Sequence, residues 1–82
     1  MYKFAIKSID YSNADSERQF VAKFSANSFG AADIFFFNWV AVNVECNIID
    51  ESVIIDLSGN EAMRIGDHRA EFSNLTYLYE EI

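Results

Sequence analysis

The amino-terminal part of the chain alternates between apolar and polar positions, which is the pattern of half-buried β-strands. Tyr2, Phe4 and Ile6 are every second residue of a first run that ends near residue 11. A second run covers residues 18–26, and the short polar side chains between the two runs, in residues 12–16, favour a turn. Two alternating runs with a short polar link predict an antiparallel hairpin.

Each run contains one break in its alternation. In the first run, the apolar residues are even-numbered up to Ile6 and odd-numbered from Ile9. A β-bulge near Lys7 and Ser8 would absorb that slip. In the second run, the exception is Val21. The apolar residues that we predict to share one face of the second strand are Phe20, Ala22, Phe24 and Ala26.

The apolar period becomes helical after Asn27 and Ser28, either of which can cap a helix. From Phe29 to Val44, apolar residues recur at positions 29, 32, 36, 40 and 44. The three consecutive phenylalanines of this segment favour a strand instead. However, the segment is about 16 residues long, and strands usually have about 3–10 residues. We therefore predict a helix.

The remaining chain returns to short apolar runs separated by turn residues. The predicted strands lie at residues 48–49, 53–57, 61–65 and 69–73. Residues 74–82 fit either type of element, because their apolar side chains share both a helical face and a strand face. The predicted fold class is α+β: an antiparallel sheet of about four strands with one main helix packed on it, in β-β-α-β-β order.

The composition narrows the class of protein. A chain of 82 residues predicts a single domain over residues 1–82. Its 51% hydrophobic and 16% aromatic content excludes intrinsic disorder. One cysteine excludes an internal disulfide and a cysteine-based zinc cluster. The amino-terminal residues lack the continuous apolar stretch of a signal peptide, which predicts a cytoplasmic protein.

The chain lacks the glycine-rich loops and nucleophile motifs of common enzymes. Cys46 and His68 could form a thiolate pair, but a cysteine at the end of an apolar run is typical of a core residue. Asp67, His68 and Glu71 are the nearest approach to a metal cluster, and a polar turn explains them equally well. We predict a protein that is not an enzyme and that binds no cofactor or metal.

The aromatic segment from Ile34 to Val40 is a candidate interaction site. Successive helical residues are about 100° apart, so three adjacent phenylalanines cannot all face one sheet. If Phe36 and Val40 face the sheet, Phe35 and Trp39 lie along a neighbouring edge of the helix. They are either covered by a second layer or exposed as anchors for a partner or a homodimer.

The net charge of −7, from 13 acidic and six basic residues, argues against direct binding to nucleic acid or to an anionic membrane. Surface acids usually keep a protein in solution. Alternatively, they attract a protein partner that has a basic surface. The acids that we predict to form such a partner-binding surface are Asp10, Asp15, Glu17, Glu45, Asp50, Glu51 and Asp56.

The hairpin that leads into a capped helix also carries a resemblance. The residues concerned are Tyr2-Lys3-Phe4-Ala5-Ile6, Phe20-Val21-Ala22-Lys23-Phe24-Ser25-Ala26-Asn27-Ser28 and Ala31-Ala32-Asp33-Ile34. This pattern, over roughly residues 2–34, resembles small bacteriophage-encoded proteins, including anti-CRISPR inhibitors. The resemblance implies an inhibitor that acts in the cytoplasm of the host cell by stoichiometric binding, blocking a nuclease or its nucleic-acid channel. It assigns no individual functional residue.

The leading hypothesis is a non-enzymatic binding protein that blocks a host defence nuclease or another nucleic-acid-binding complex. This hypothesis rests on the negative charge, the aromatic helix and the lack of catalytic motifs. One alternative is an accessory subunit or homo-oligomer whose aromatic helix completes a shared core. A second alternative is a small enzyme that uses His68.

Overall fold

The described residues fold into one α-helix and two antiparallel sheets. The computed structural model describes residues 1–12 and 17–82. The elements in this part of the chain are β1 (Tyr2–Asp10), β2 (Arg18–Ala26), α1 (Phe29–Asn43), β3 (Asn47–Ile49), β4 (Val53–Ile55), β5 (Glu61–Arg64), β6 (Arg69–Glu71) and β7 (Leu75–Glu81). The α+β class and the single main helix are therefore confirmed.

The strands form a large sheet in the order β2-β1-β7-β6 and a small sheet in the order β3-β4-β5. The prediction of a single four-stranded sheet with β-β-α-β-β order is therefore wrong. The short strands after the helix do not all join the amino-terminal hairpin, because β3, β4 and β5 pair only with one another. The hairpin of β1 and β2 forms as predicted.

The carboxy-terminal segment, which fitted both a helix and a strand, forms β7. This strand pairs with β1 on one side and β6 on the other, with Tyr79 opposite Ile6 and Tyr77 opposite Ala70. An inner strand satisfies its backbone groups on both edges. Pairing across the whole length of the chain therefore decides between two local patterns that are equally good.

The alternation breaks where the β1–β2 register shifts. Ile6 lies opposite Ala22, and the next residue, Lys7, lies opposite Phe20. Val21 is thus the extra residue, and the bulge belongs to β2, whereas β1 pairs regularly with β7. A bulge therefore occurs beside Lys7, as predicted, but the extra residue belongs to the partner strand. The bulge also turns Phe20 away from the face that holds Ala22, so Phe20 does not share the face predicted for it.

The helix begins after Ser28, whose hydroxyl accepts a hydrogen bond from the Ala31 N–H at 3.1 Å. This confirms the predicted amino-terminal cap. The buried side chains of α1 are Ala32, Phe36, Phe37 and Val40. They share one hydrophobic core with Phe4, Ile6, Phe24 and Tyr79 of the large sheet and with Ile54 and Met63 of the small sheet.

The Cα atoms extend over 36 × 35 × 16 Å. Packed layers lie about 10 Å apart, so the shortest dimension accommodates two layers and leaves no room for a third. The large sheet therefore has one face against the core and one face turned away from α1, which we call the outer face.

Candidate functional site

The strand register sorts the charged side chains onto two sides of the molecule. Residues on the outer face follow from the cross-strand pairs that include Lys7–Leu78, Ile9–Arg18 and Leu78–Arg69. The charged residues of this face are Lys3, Lys7, Arg18, Lys23, Arg69, Glu71 and Glu80. Five bases thus face two acids, which gives the outer face a local charge of +3.

The rest of the described chain carries the opposite charge. Its acids are Asp10, Glu17, Asp33, Glu45, Asp50, Glu51, Asp56, Glu61, Asp67 and Glu81, and its one Lys or Arg residue is Arg64. The Arg64 guanidinium is already paired with Glu61 at 2.8 Å. The helix side and the small sheet therefore form a surface that is strongly negative.

Asp50 and Glu51 form the tip of the β3–β4 hairpin. Both residues have positive φ angles, 52° and 56°, and the Ser52 N–H donates to the Ile49 carbonyl at 3.1 Å. This is the geometry of a type I′ turn, which strongly favours Asn-Gly and Asp-Gly. Asp50 therefore suits its position, whereas Glu51 lies where glycine is preferred and is strained in the left-handed region. The hairpin thus holds two exposed carboxylates, one of them on strained backbone.

Replacing Asp50 by Asn and Glu51 by Gly should stabilise the protein. Relief of the left-handed strain is expected to raise the free energy of unfolding by about 1 kcal/mol. For a domain of this size that corresponds to a rise of about 4–8 °C in Tm, measurable by calorimetry. The matched control is Asp50→Asn with Glu51→Gln, which removes the same charges but keeps a side chain, and therefore the strain, at position 51. An equal gain in the control would mean that charge repulsion, rather than backbone strain, destabilises the turn.

Two of the predicted partner-binding acids are engaged in their own turns. The Asp10 carboxylate accepts hydrogen bonds from the Ser12 hydroxyl and N–H, which lower its pKa. The Asp56 carboxylate accepts from the backbone N–H groups of Ser58 and Asn60 at 2.9 and 2.8 Å, and the pKa of Asp56 is also lowered, mainly by Asn60. These carboxylates therefore have a structural role in addition to their charge.

The other predicted acids are distributed along the chain. Glu17 lies just before β2, and Glu45 lies just after α1; both are exposed. Asp15 lies outside the described residues. The structure thus does not gather the predicted acids into one cluster. It brings Glu45, Asp50 and Glu51 to the neighbourhood of β3.

The aromatic residues of the helix are mostly covered. Phe36 and Phe37 are buried, and Trp39 is half-buried, with its ring 5.5 Å from that of Tyr77. Phe35 stacks on Phe24 at 4.2 Å and remains 42% exposed. Of the two predicted anchors, Phe35 therefore presents the more accessible ring.

The structure adds two exposed rings near Phe35 that the sequence did not single out. Tyr2 and Phe29 contact each other at 4.7 Å, and Phe29 also contacts the buried Phe4 at 5.8 Å. Phe4 in turn stacks on Phe24, on which Phe35 lies. We call the exposed rings Tyr2, Phe29 and Phe35 the aromatic row. Only the pairing of β1 with β2 and the helix position reveal it.

His68, Asp33 and Tyr79 form a polar cluster where the helix meets the large sheet. The Tyr79 hydroxyl donates to the Asp33 carboxylate, and His68 Nε2 lies 3.1 Å from the same carboxylate oxygen. Burial, followed by the hydrogen bond to Asp33, raises the pKa of the Tyr79 hydroxyl well above its usual range. A tyrosine held protonated in this way ties α1 to β7, which is a structural role.

Cys46 takes no part in the hydrogen bonds of this cluster. Its Sγ is 3.9 Å from the Val40 carbonyl, and it packs partly buried on the hydrophobic core. Burial raises the pKa of the thiol, which disfavours the reactive thiolate. Within the described residues, no three His, Cys, Asp or Glu side chains are placed to hold a metal ion.

An open groove of about 580 Å³ lies beside His68. Asp67, which lines it, accepts a hydrogen bond from the Arg64 N–H at 2.8 Å and so closes the turn before β6. Arg69 and Glu71, also in the lining, lie 3.5 Å apart as an ion pair. Arg69 and Glu71 thus neutralise each other within the groove, whereas Asp67 and His68 interact with Arg64 and Asp33, which lie outside its lining.

No helix in the described ranges is long and apolar enough to cross a membrane. Comparison of the chain with protein-family models, with curated proteins and with solved structures finds no match.

Proposed function

We propose that this is a non-enzymatic binding protein whose negative side engages a basic protein partner. The observation that carries the proposal is the separation of charge. Five of the six bases lie on the outer face, so the helix side and the small sheet present a nearly uninterrupted negative field. Complementary charge accelerates encounter and selects the partner.

The β3–β4 hairpin is the most specific part of this surface. Ile48 and Ile49 of the edge strand β3 are 49% and 44% exposed, next to the carboxylates of Asp50 and Glu51. An apolar anchor beside charged residues is typical of protein interfaces. Strained backbone that displays carboxylates supports a role for this turn beyond folding. We call residues 45–51 the acidic hairpin surface.

A partner with a basic surface of this kind is a nuclease or another nucleic-acid-binding complex. Such proteins carry clusters of Lys and Arg where they bind phosphates. A protein that occupies the cluster with carboxylates blocks access of the nucleic acid. The function that we propose is therefore that of a stoichiometric inhibitor, which is also what the resemblance to bacteriophage-encoded inhibitors implies.

The test is affinity capture from a host-cell lysate with matched baits. Asp50→Asn with Glu51→Gln removes two charges from the acidic hairpin surface, and Glu71→Gln with Glu80→Gln removes two charges from the outer face. Mass spectrometry should identify a basic protein that the native chain and the second bait capture and the first bait loses. Equal capture by both baits, or no specific basic protein at low and physiological salt, would contradict the proposal.

The aromatic row supports a second candidate function, a homo-oligomer. Tyr2, Phe29 and Phe35 are 42%, 51% and 42% exposed and are connected through the buried rings of Phe4 and Phe24, and exposed aromatic surface marks interaction sites. A dimer through this row should give twice the monomer mass in light scattering, and Phe29→Ser with Phe35→Ser should return it to a monomer. A native chain that is monomeric at high concentration would exclude this candidate.

A further inference from the structure

The outer face of the large sheet differs from the rest of the molecule in both charge and covering. The core residues of the sheet lie on its other face, against α1 and the small sheet. On the outer face, Leu78 is buried between the cross-strand neighbours Lys7 and Arg69. The described residues thus leave this face uncovered except by its own long basic side chains.

Some of these bases are neutralised and others are not. Lys7 and Arg18 both pair with Glu80, and Arg69 pairs with Glu71. Within the described residues, Lys3 and Lys23 form no ion pair. They are diagonal neighbours on β1 and β2, because Lys3 lies opposite Ser25 and Lys23 lies opposite Ala5. Two unpaired ammonium groups side by side favour a ligand with negative charge.

A pocket of about 480 Å³ lies between these two lysines. Its lining also includes Ser25, which can donate a hydrogen bond, and the apolar side chain of Ile82. The pocket therefore combines positive charge, a hydroxyl and an apolar wall.

Phe20 adds an aromatic surface beside the pocket. The bulge at Val21 turns its ring onto the outer face, where it is 58% exposed. The Lys23 ammonium lies 5.9 Å from the ring centroid, which confirms that both side chains are on the same face. Single-stranded nucleic acids bind to open sheets of this kind. A nucleobase stacks on the exposed aromatic ring, and the phosphates pair with the surrounding Lys and Arg side chains.

We propose that the outer face binds single-stranded nucleic acid, with Phe20 stacking on a base and Lys3 and Lys23 contacting phosphates. The net charge of the chain argued against such a ligand because it averages two sides of opposite sign. This binding is independent of the proposed protein partner, which meets the other side of the molecule.

The test is fluorescence anisotropy with a short labelled oligothymidine, titrated with the full chain at several salt concentrations. Phe20→Leu should weaken binding about tenfold, because it removes the stacking platform. Lys3→Gln with Lys23→Gln should lower the slope of log affinity against log salt by about 1.4, since each phosphate contact on a single strand contributes about 0.7. Circular dichroism and Tm measurements confirm that each variant is folded.

Arg64→Gln is the matched control, because Arg64 is the one base that is not on the outer face. It should leave the affinity unchanged. Duplex DNA and polyglutamate serve as competitors that carry negative charge without exposed bases. The proposal is overturned by no binding at low salt, by an equal loss in Arg64→Gln, or by displacement with polyglutamate as effective as that with unlabelled oligothymidine.

Discussion

Replacing Phe36 by alanine is expected to lower the free energy of unfolding by about 3–5 kcal/mol. The side chain is fully buried at the centre of the core, where its ring contacts that of Tyr79 at 5.0 Å. Stabilities of small domains begin at about 5 kcal/mol. We therefore expect the variant to be largely unfolded near 37 °C, as measured by urea titration and circular dichroism.

The neighbouring residue provides the matched control. Phe35→Ala removes the same side chain from a site that is 42% exposed and stacked only on one side. Its expected cost is about 1 kcal/mol, in the range of an aromatic pair contact. Equal costs at the two positions would show that α1 is rotated about its axis relative to the orientation described above.

Replacing Tyr79 by phenylalanine is expected to cost about 1.5–3 kcal/mol at neutral pH, the range for a hydrogen bond to a charged group. The hydroxyl that is lost donates to the Asp33 carboxylate, which also contacts His68. Chemical denaturation of the two proteins at pH 7 measures the difference.

Because of Tyr79, the free energy of unfolding of the native chain depends on pH in the alkaline range. The pKa of Tyr79 is raised in the folded state, so the fold retains a proton that the unfolded chain loses above about pH 10. The contribution of this hydroxyl is therefore complete below pH 10 and is lost as the pH rises, with a slope of about 1.4 kcal/mol per pH unit.

Tyr79→Phe should remove that slope, so the stabilities of the variant and the native chain should converge above pH 10. Tyr77→Phe is the control, because Tyr77 is on the same strand and contacts Trp39 through its ring. It should keep the alkaline slope. If Tyr79→Phe retains the slope as well, another group causes the loss of stability at alkaline pH, and the hydrogen bond between Tyr79 and Asp33 does not.

The local elements were largely predictable because each rests on a short-range pattern. The hairpin followed from two alternating runs, and the helix start followed from the ability of Ser28 to cap it. The inward position of Phe36 and Val40 followed from helical spacing. These features depend on residues within a few positions of one another.

The arrangement of the sheets was not predictable in the same way. The final segment carried two periods, and its pairing with β1, about 70 residues earlier in the chain, selected the strand. The division into two sheets depends on which short strands find each other. The sequence of a single segment says little about such pairing, because the free energy of pairing arises only when distant strands meet.

The candidate sites show the same division. The acidic character of the protein and the aromatic content of its helix were evident from the sequence, which offered Phe35 and Trp39 equally as anchors; the tertiary structure decided that Phe35 is the more exposed. The basic outer face was not, because one extra residue at Val21 determines on which side Phe20 lies. A shift of one residue moves a strand side chain to the opposite face.

The sequence alone determined the α+β class, the amino-terminal hairpin, the helix with its cap and an overall negative charge. The tertiary structure decided that most of the bases and most of the described acids occupy opposite sides of a molecule two layers thick, and that the helix shares its core with a second sheet. The physical reason is that composition gives the sum of the charges, whereas strand register gives each charge its face.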